Sequence, residues 1–429
     1  MILTLKNIGK IKDAIVELNG ITVIAGENNT GKSTVGKTLF CIFNSFYKIK
    51  QQIYKERRNA IKRILDIGYI NPTDRFIIGL DTDEMTNTIS EKADFYKENP
   101  KLLKKDIVEF FLRGYRNTEN YTNEISLEDI TKKVYQIISL SDEDIFKTVL
   151  SQKLNSEFNS QINNIYSSND SGGIVELNIK GTNIEILIRD NEVTDISKRL
   201  SLNTEVIYID DPFVLDDISS SPIFHIGSNN YNNHRFHLQS KLRNTKEDFG
   251  VVDAINKIII SNKIDNIFSK INTICSGQMI KITGSKFGYK NNNSDKVLDI
   301  KNISTGLKTF IILKTLLLNG SIQDNGTIVL DEPEIHLHPE WQILFAEIIV
   351  LIQKEFNMHI LLNTHSPYFL RAIQVYSAKY EIADKCNYYL AEDMEDQAII
   401  RDVTTSIDEV YTKLAKPFET LEIERYSDD

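Results

Sequence analysis

Gly26-Glu27-Asn28-Asn29-Thr30-Gly31-Lys32-Ser33 fits the spacing G-x-x-x-x-G-K-[ST] without departure. Ile21-Thr22-Val23-Ile24-Ala25 before it is short, apolar and β-branched, which predicts a buried strand, and Thr34–Phe46 after it predicts a helix. Strand, glycine loop and helix together make a phosphate site. Gly26 and Gly31 allow a tight backbone whose N–H groups face the phosphates, and the helix start adds roughly half a positive charge. Lys32 would reach the β- and γ-phosphates and Ser33 would give its hydroxyl to Mg²⁺. Asn28, Asn29, Thr30 and Thr34 complete the candidate nucleotide-binding set.

The remainder of the chain offers few rival chemistries. Its 429 residues suffice for two or three domains, and 41% hydrophobic with 26% charged residues is an ordinary globular balance. No apolar run of about 18 residues predicts a membrane span, and the first residues do not read as a signal peptide. Cys41, Cys275 and Cys386 lie far apart without C-x-x-C spacing, a pattern expected of a reducing cytoplasm rather than of disulfides or zinc. The net charge of −10 argues against indiscriminate nucleic-acid binding, but it is unevenly placed. Residues 381–429 carry fourteen acids against five Lys/Arg, whereas Lys48–Arg63 carries seven bases against one acid.

Residues 2–25 read as antiparallel strands that lead into the loop strand. The helix after the loop has an apolar stripe that continues through Ile49, Ile53, Ile61 and Leu65. Residues 46–171 read as a helical insertion, broken at Pro72, Asn99-Pro100 and around Asn117–Asn123. Ile174–Lys180 and Asn183–Arg189 alternate as a hairpin, and Glu205–Ile209 is an apolar strand. A polar excursion over 211–250 holds His225, His234 and His237; its His234-x-x-His237 pair lacks a third ligand and reads as solvated or locally hydrogen-bonded. Residues 391–429 form an acidic C-terminal segment expected to pack on the head, with a helix from about Ile407 that should stop or kink at Pro417.

Further along, Thr327-Ile-Val-Leu-Asp331-Glu332 is a hydrophobic strand ending in two acids. Asp331 would hold Mg²⁺ beside Ser33, and Glu332 would deprotonate the attacking water. Ser304-Thr-Gly306-Leu-Lys308 opens a helix and supplies a second anion site. His365 ends the strand His359–Thr364, where it would meet the γ-phosphate. His336-x-His338 reads as part of a linker rather than as a metal pair.

These motifs together resemble the ABC-type ATPases of the OLD (overcoming lysogenization defect) class, relatives of RecF and SMC-type heads. The string Asp-Glu-Pro-Glu-Ile-His-Leu-His-Pro at 331–339 is the most specific part. The resemblance implies an α/β fold: an ABC-type P-loop ATPase head over 1–45 and 172–390, with a mixed sheet, an antiparallel β-subdomain and the helical insertion. It implies ATP and Mg²⁺ as cofactors and a homodimer, or higher even oligomer, closed around two ATP molecules. Ser304 and Gly306 of one subunit would complete the site of the other. Too few residues follow His365 for the Toprim nuclease domain of full OLD enzymes, so an effector nuclease or toxin would be a separate protein. Stand-alone ATPases of this kind resemble those of anti-phage systems such as PtuA of Septu, AriA of PARIS and retron-associated ATPases. The alternatives are a RecF-like repair clamp on DNA and an ATP-holding scaffold with little turnover. The basic stretch Lys48–Arg63 is either a solvated face, open to pairing with acids of the insertion, or a contact for nucleic acid or an acidic partner.

Overall fold

The computed structural model describes residues 1–69, 81–114, 127–167, 172–218, 233–243, 252–282 and 286–427. The chain divides into two compact units, Met1–Tyr47 with Leu150–Asp429, and Lys48–Val149.

The larger unit opens with β1 (Ile2–Ile8) and β2 (Ile11–Glu17), an antiparallel pair whose apolar alternation buries Leu3, Leu5, Ile8, Ile11, Ala14 and Val16. Next come β3 (Ile21–Gly26), buried at every residue, and α1 (Lys32–Phe46). The stripe expected to continue one long helix is interrupted here: Tyr47 is extended and Lys48 has φ +47°, so a new helix must start beyond them.

That helix, α2 (Ile49–Tyr69), begins the smaller unit. It is followed by α3 (Thr82–Glu91), α4 (Ala93–Glu98), α5 (Pro100–Gly114), α6 (Leu127–Ser139) and the start of α7 (Asp142–Phe158). Its core gathers Ile61, Leu65, Ile89, Tyr96, Phe111 and Val134. The basic helix is internally paired: Arg58 and Lys62 hold Asp83 at 2.7 and 2.5 Å, and Arg57 holds Asp142 at 2.8 Å. The chain breaks between α4 and α5 at Asn99, as expected; Pro72 and Asn117–Asn123 lie outside the described residues.

Residues 150–167, expected within the insertion, belong instead to the larger unit. Leu150, Leu154 and Ile162 are fully buried, Gly9 N–H donates to the Ile162 carbonyl at 2.8 Å and Asn164 N–H to that of Asn7 at 3.0 Å. These backbone pairings tie the segment to the β1–β2 turn.

The larger unit continues with β4 (Gly173–Ile179), β5 (Thr182–Arg189), β6 (Glu192–Ile196), β7 (Val206–Ile209), α8 (His234–Arg243) and α9 (Val252–Ile274). It then forms β8 (Gln278–Lys281), β9 (Phe287–Lys290), β10 (Val297–Asp299), α10 (Thr305–Leu318), β11 (Thr327–Asp331) and α11 (Pro339–Phe356). The last elements are β12 (His359–Thr364), α12 (Pro367–Lys379), β13 (Cys386–Met394), β14 (Gln397–Asp402) and α13 (Asp408–Ser427).

An eleven-stranded mixed sheet runs β6-β5-β4-β1-β2-β14-β13-β3-β12-β11-β7, and β10-β9-β8 form a small antiparallel sheet. One half of the large sheet is the antiparallel arm β6-β5-β4-β1-β2; the other is the parallel set around β3. This is the expected α/β ATPase-head architecture.

Three further expectations are corrected. The strands of 2–25 lie in one sheet, but β3 is neither beside β2 nor antiparallel to its neighbours, because β14 and β13 stand between β2 and β3. The acidic segment 391–429 is therefore not merely packed on the head. Its hydrophobic positions Ala391, Ala398 and Ile400 are buried, and its backbone completes the ladder on both sides. Nor does α13 end at Pro417, which lies inside the helix. Within 211–250, Pro212–Leu215 forms a short helical turn and α8 occupies 234–243, while His225 lies outside the described residues. Among the described residues no helix is long and apolar enough to cross a membrane.

Candidate functional site

Three parallel strands, β3, β12 and β11, lie side by side, and their C-terminal ends carry the site. From β3 the chain turns through the glycine loop into α1. Gly31 has φ +80°, a left-handed conformation that glycine adopts without steric cost, and a Cβ there would meet Ile11 Cγ1 at 2.9 Å. Gly26 (φ +156°) has a second reason to be glycine: a Cβ would stand 2.5 Å from the Ala391 carbonyl of β13. Thr30 is buried and its hydroxyl donates to the Glu27 carbonyl at 2.8 Å, so it braces the loop. Asn28 and Asn29 are exposed at the tip; Ser33 and Thr34 are half-buried in the first turn of α1.

Lys32 is 4% exposed and folds back on its own loop, donating to the carbonyls of Glu27 (2.7 Å) and Gly26 (3.1 Å). Its ammonium is 3.8 Å from Glu332 Oε1. Burial depresses the Lys32 pKa, against the pull of Glu332 and Asp331.

At the end of β11 the backbone turns sharply. Glu332 has φ +53°, which costs a non-glycine residue about 1–2 kcal/mol and is held by its N–H donating to the Asn363 carbonyl at 3.0 Å. Its carboxylate lies 3.0 Å from His365 Nε2. That contact with His365 holds Glu332 below the usual glutamate range and, in turn, raises His365. The structure thus brings Lys32, Glu332 and His365 into one cluster.

Asp331 is held from both neighbouring strands. Tyr208 of β7 donates its hydroxyl to Oδ2 at 2.6 Å, and Asn363 of β12 donates to Oδ1 at 2.8 Å. Burial raises the Tyr208 pKa well above the ordinary phenol value, with the Asp331 charge adding to it, so the hydroxyl remains a donor. Glu334 is buried and accepts from the Thr364 hydroxyl (2.5 Å) and the His365 N–H (3.0 Å). Its other oxygen, Oε2, has no partner, nor has Asn363 Oδ1. Burial raises the Glu334 pKa.

These donors suit magnesium. The ion takes oxygen ligands and keeps water and phosphate oxygens for most of its shell. Ser33 and Asp331 are oxygen donors, and each Asp331 oxygen retains a lone pair beyond its one hydrogen bond. Among the described residues no three or more His, Cys, Asp or Glu gather as a closed metal cage.

Ser304 stands at the N-cap position of α10 without a side-chain capping bond, and Gly306 lies against the segment after β11: a Cβ there would come 2.8 Å from the His336 carbonyl and 3.2 Å from the Trp341 ring. Among the described residues, the hydrogen bonds and ion pairs of Lys32, Glu332 and His365 run to neither of them. Lys308 is 2% exposed and bound to Asp216 at 2.5 Å, so its charge serves the interior. His338 caps α11, accepting from Glu340 N–H at 3.4 Å, and His336 packs edge-on to Phe213.

His234 and His237 are both hydrogen-bonded, though to carboxylates distant in the chain rather than locally. His234 Nδ1 is 2.5 Å from Glu157, and Nε2 lies 3.0 Å from Asp210, an ion-pair distance without a well-aimed hydrogen bond. Burial would lower the His234 pKa; the Asp210 and Glu157 carboxylates outweigh it and hold it at about 9. His237 bonds Glu205 at 2.8 Å. Tyr208, absent from the sequence-derived site, carried one signal: a polar tip inside an apolar strand.

The family model described as AAA ATPase domain matches residues 1–370. A probable ATPase of retron Vc95 from Vibrio cholerae serotype O1 biovar El Tor is 31% identical over 102 residues, which is 21% of this chain and 19% of that relative. A probable ATPase of retron Ec83 from Escherichia coli is 27% identical over 140 residues, 30% of this chain and 25% of its own length. The matches thus span about a quarter or less of these relatives. Among solved structures, an SMC head bound to the C-winged helix domain of ScpA aligns over 95% of this chain and 98% of its own at 12% identity and TM-score 0.46. An SMC head domain from Thermotoga maritima aligns over 94% and 98% at 10% identity and TM-score 0.37. With a complete glycine loop, a paired acid and a histidine on adjacent strand ends, and with the match over residues 1–370, the chain belongs to the AAA ATPase domain family and is an ATPase.

Proposed function

We propose that the protein is an ATP-driven switch subunit of the OLD-like kind, which dimerises around two ATP molecules and controls a separate effector, a nuclease or toxin, in bacterial anti-phage defence. The observation that carries the hydrolytic part is the Lys32–Glu332–His365 cluster. Glu332 stands between Lys32 and His365 while Lys32 is folded onto its own loop. A γ-phosphate offers Lys32 a stronger acceptor than two carbonyls. Glu332, held below the usual glutamate range by His365, is then the base for water, and His365 faces the charge that develops on the phosphoryl oxygens. Ser33 and Asp331 would hold Mg²⁺, which supplies charge neutralisation across the phosphates.

The dimer is supported by the placement of Ser304 and Gly306 at a helix start outside the Lys32 cluster, where another subunit's nucleotide would have to complete the pair. The defence role is supported by the retron ATPases among the relatives. Light scattering with ATP tests the scheme. Glu332→Gln chains should become dimers on ATP and stay so, while Ser304→Arg chains should bind ATP as monomers. A parent chain that remains monomeric with ATP bound would overturn the switch.

A further inference from the structure

We propose that Tyr208 is a positioning residue for Asp331, fixing the plane in which that carboxylate is offered to the magnesium ion of the nucleotide. The inference deepens the reading of Asp331 as a metal carboxylate and rests on it.

The placement follows from strand register. Tyr208 pairs with Val329, two residues before Asp331, so Tyr208 and Asp331 project on the same face of the sheet. Asn363 pairs with Asp331 itself from the other side. One neutral donor therefore reaches each carboxylate oxygen from each flanking strand, at 2.6 and 2.8 Å, and all three side chains are buried or nearly so. A carboxylate tied at both oxygens cannot rotate about its Cβ–Cγ bond without losing a buried hydrogen bond.

Tyr208 is itself immobilised. Its ring stacks on His234 with centroids 4.3 Å apart and planes 24° from parallel, and His234 is gripped by Glu157. Phe40 meets it edge-on at 6.3 Å. Gly36 of α1 lets that helix lie against the same face: a Cβ there would come 2.8 Å from Val329 and 3.4 Å from the Tyr208 ring. A core tyrosine needs somewhere to place its hydroxyl, but not the side chain on which metal binding depends. Partners of metal-ligating carboxylates typically govern 10–100-fold in metal affinity or activity.

The experiment is a Mn²⁺ titration of the full chain with a non-hydrolysable ATP analogue, read by the electron paramagnetic resonance signal of free Mn²⁺. Nucleotide affinity in EDTA and melting curves are measured alongside. Tyr208→Phe should bind Mn²⁺ about 10-fold more weakly, with the affinity in EDTA unchanged. If Tyr208→Phe lowers only the melting temperature and leaves Mn²⁺ affinity at the parent value, the tyrosine is a core residue and the proposal falls. Should that variant not fold, 3-fluorotyrosine at position 208 keeps ring and hydroxyl but makes a stronger donor; a shift in Mn²⁺ affinity supports the proposal and an unchanged affinity overturns it. Asp331→Asn separates the two claims. Loss of Mn²⁺ binding there with no effect at Tyr208 removes only the present inference, whereas unchanged binding removes the metal assignment and this proposal with it.

Discussion

Two histidine–carboxylate pairs in the larger unit invite comparison. Glu332 and His365 meet at 3.0 Å with about a quarter of each side chain exposed, whereas Glu157 and His234 meet at 2.5 Å with 1% and 8% exposed. The chemistry is the same and the environments are opposite. The first pair stands at strand ends, on a left-handed residue, beside a lysine that donates to two backbone carbonyls and lies 3.8 Å from Glu332. It can exchange partners when phosphate and water arrive. The second has a further carboxylate behind it and aromatic rings around it, so exchanging partners there would leave a buried charge unpaired. Solvent access and replaceable neighbours, not residue type, set the two pairs apart.

Substitution at each pair should break the comparison cleanly. Glu332→Gln is expected to lower kcat by about 10²–10⁴-fold, the range supplied by general base catalysis, with little change in melting temperature and with ATP binding retained. Phosphate release assays and nucleotide titration check it; turnover at the parent rate removes Glu332 as the base. His234→Gln should do the reverse. Leaving Glu157 without its imidazole, while Asp210 keeps Arg235, costs about 3–5 kcal/mol by the general rule for broken buried pairs, seen as a large fall in urea midpoint. Its kcat, measured on folded protein, should change far less than that of Glu332→Gln.

Stability against pH sharpens the contrast further. His234 is held at about 9, above its unfolded value of roughly 6.5. Its contribution is therefore complete below pH ~6.5 and disappears as pH rises towards about 9. Asp210 is held at about 2, since its bonds to His234 and Arg235 overcome the burial that would raise it. Its contribution is present above pH ~4 and is lost as pH falls through about 2. The melting temperature should peak between these windows and decline from pH 6.5 to 9, and His234→Gln should flatten the alkaline decline. A parent curve level across that range would show that the pair adds nothing.

The smallest effect belongs to the basic helix of the other unit. Because Arg58 and Lys62 share Asp83, replacing Lys55, Arg58 and Lys62 with Glu should slightly lower that unit's stability and leave ATP turnover unchanged. Binding to duplex DNA that is present at low salt and lost in this variant would instead establish a phosphate contact, with a log–log salt slope of roughly −0.9 per phosphate.

The sequence revealed what is local. The glycine loop, the apolar strands β11 and β12 with their polar ends, and the helix opened by Ser304 all follow from contiguous residues. What it concealed depends on pairing across long separations. Tyr208 reads as one more strand residue until Val329 is seen beside it. The His234 and His237 partners, Glu157, Asp210 and Glu205, are scattered through the chain, so two histidines bonded to carboxylates resembled a polar loop. Nothing in the contiguous residues of β13 and β14 shows their place in the middle of the sheet.

That placement bears on synthesis at the ribosome. Both ladder neighbours of β3, β12 and β13, are translated long after it, and Ala391 of β13 closes over Gly26. The nucleotide loop is thus made early and assembled late. A nascent chain must keep a strand destined for full burial out of trouble through most of its elongation, the circumstance in which chaperones are recruited. Prematurely terminated chains that lack residues 386–402 would carry the complete loop sequence and yet only one of the two ladder neighbours of β3, with nothing of β13 over Gly26.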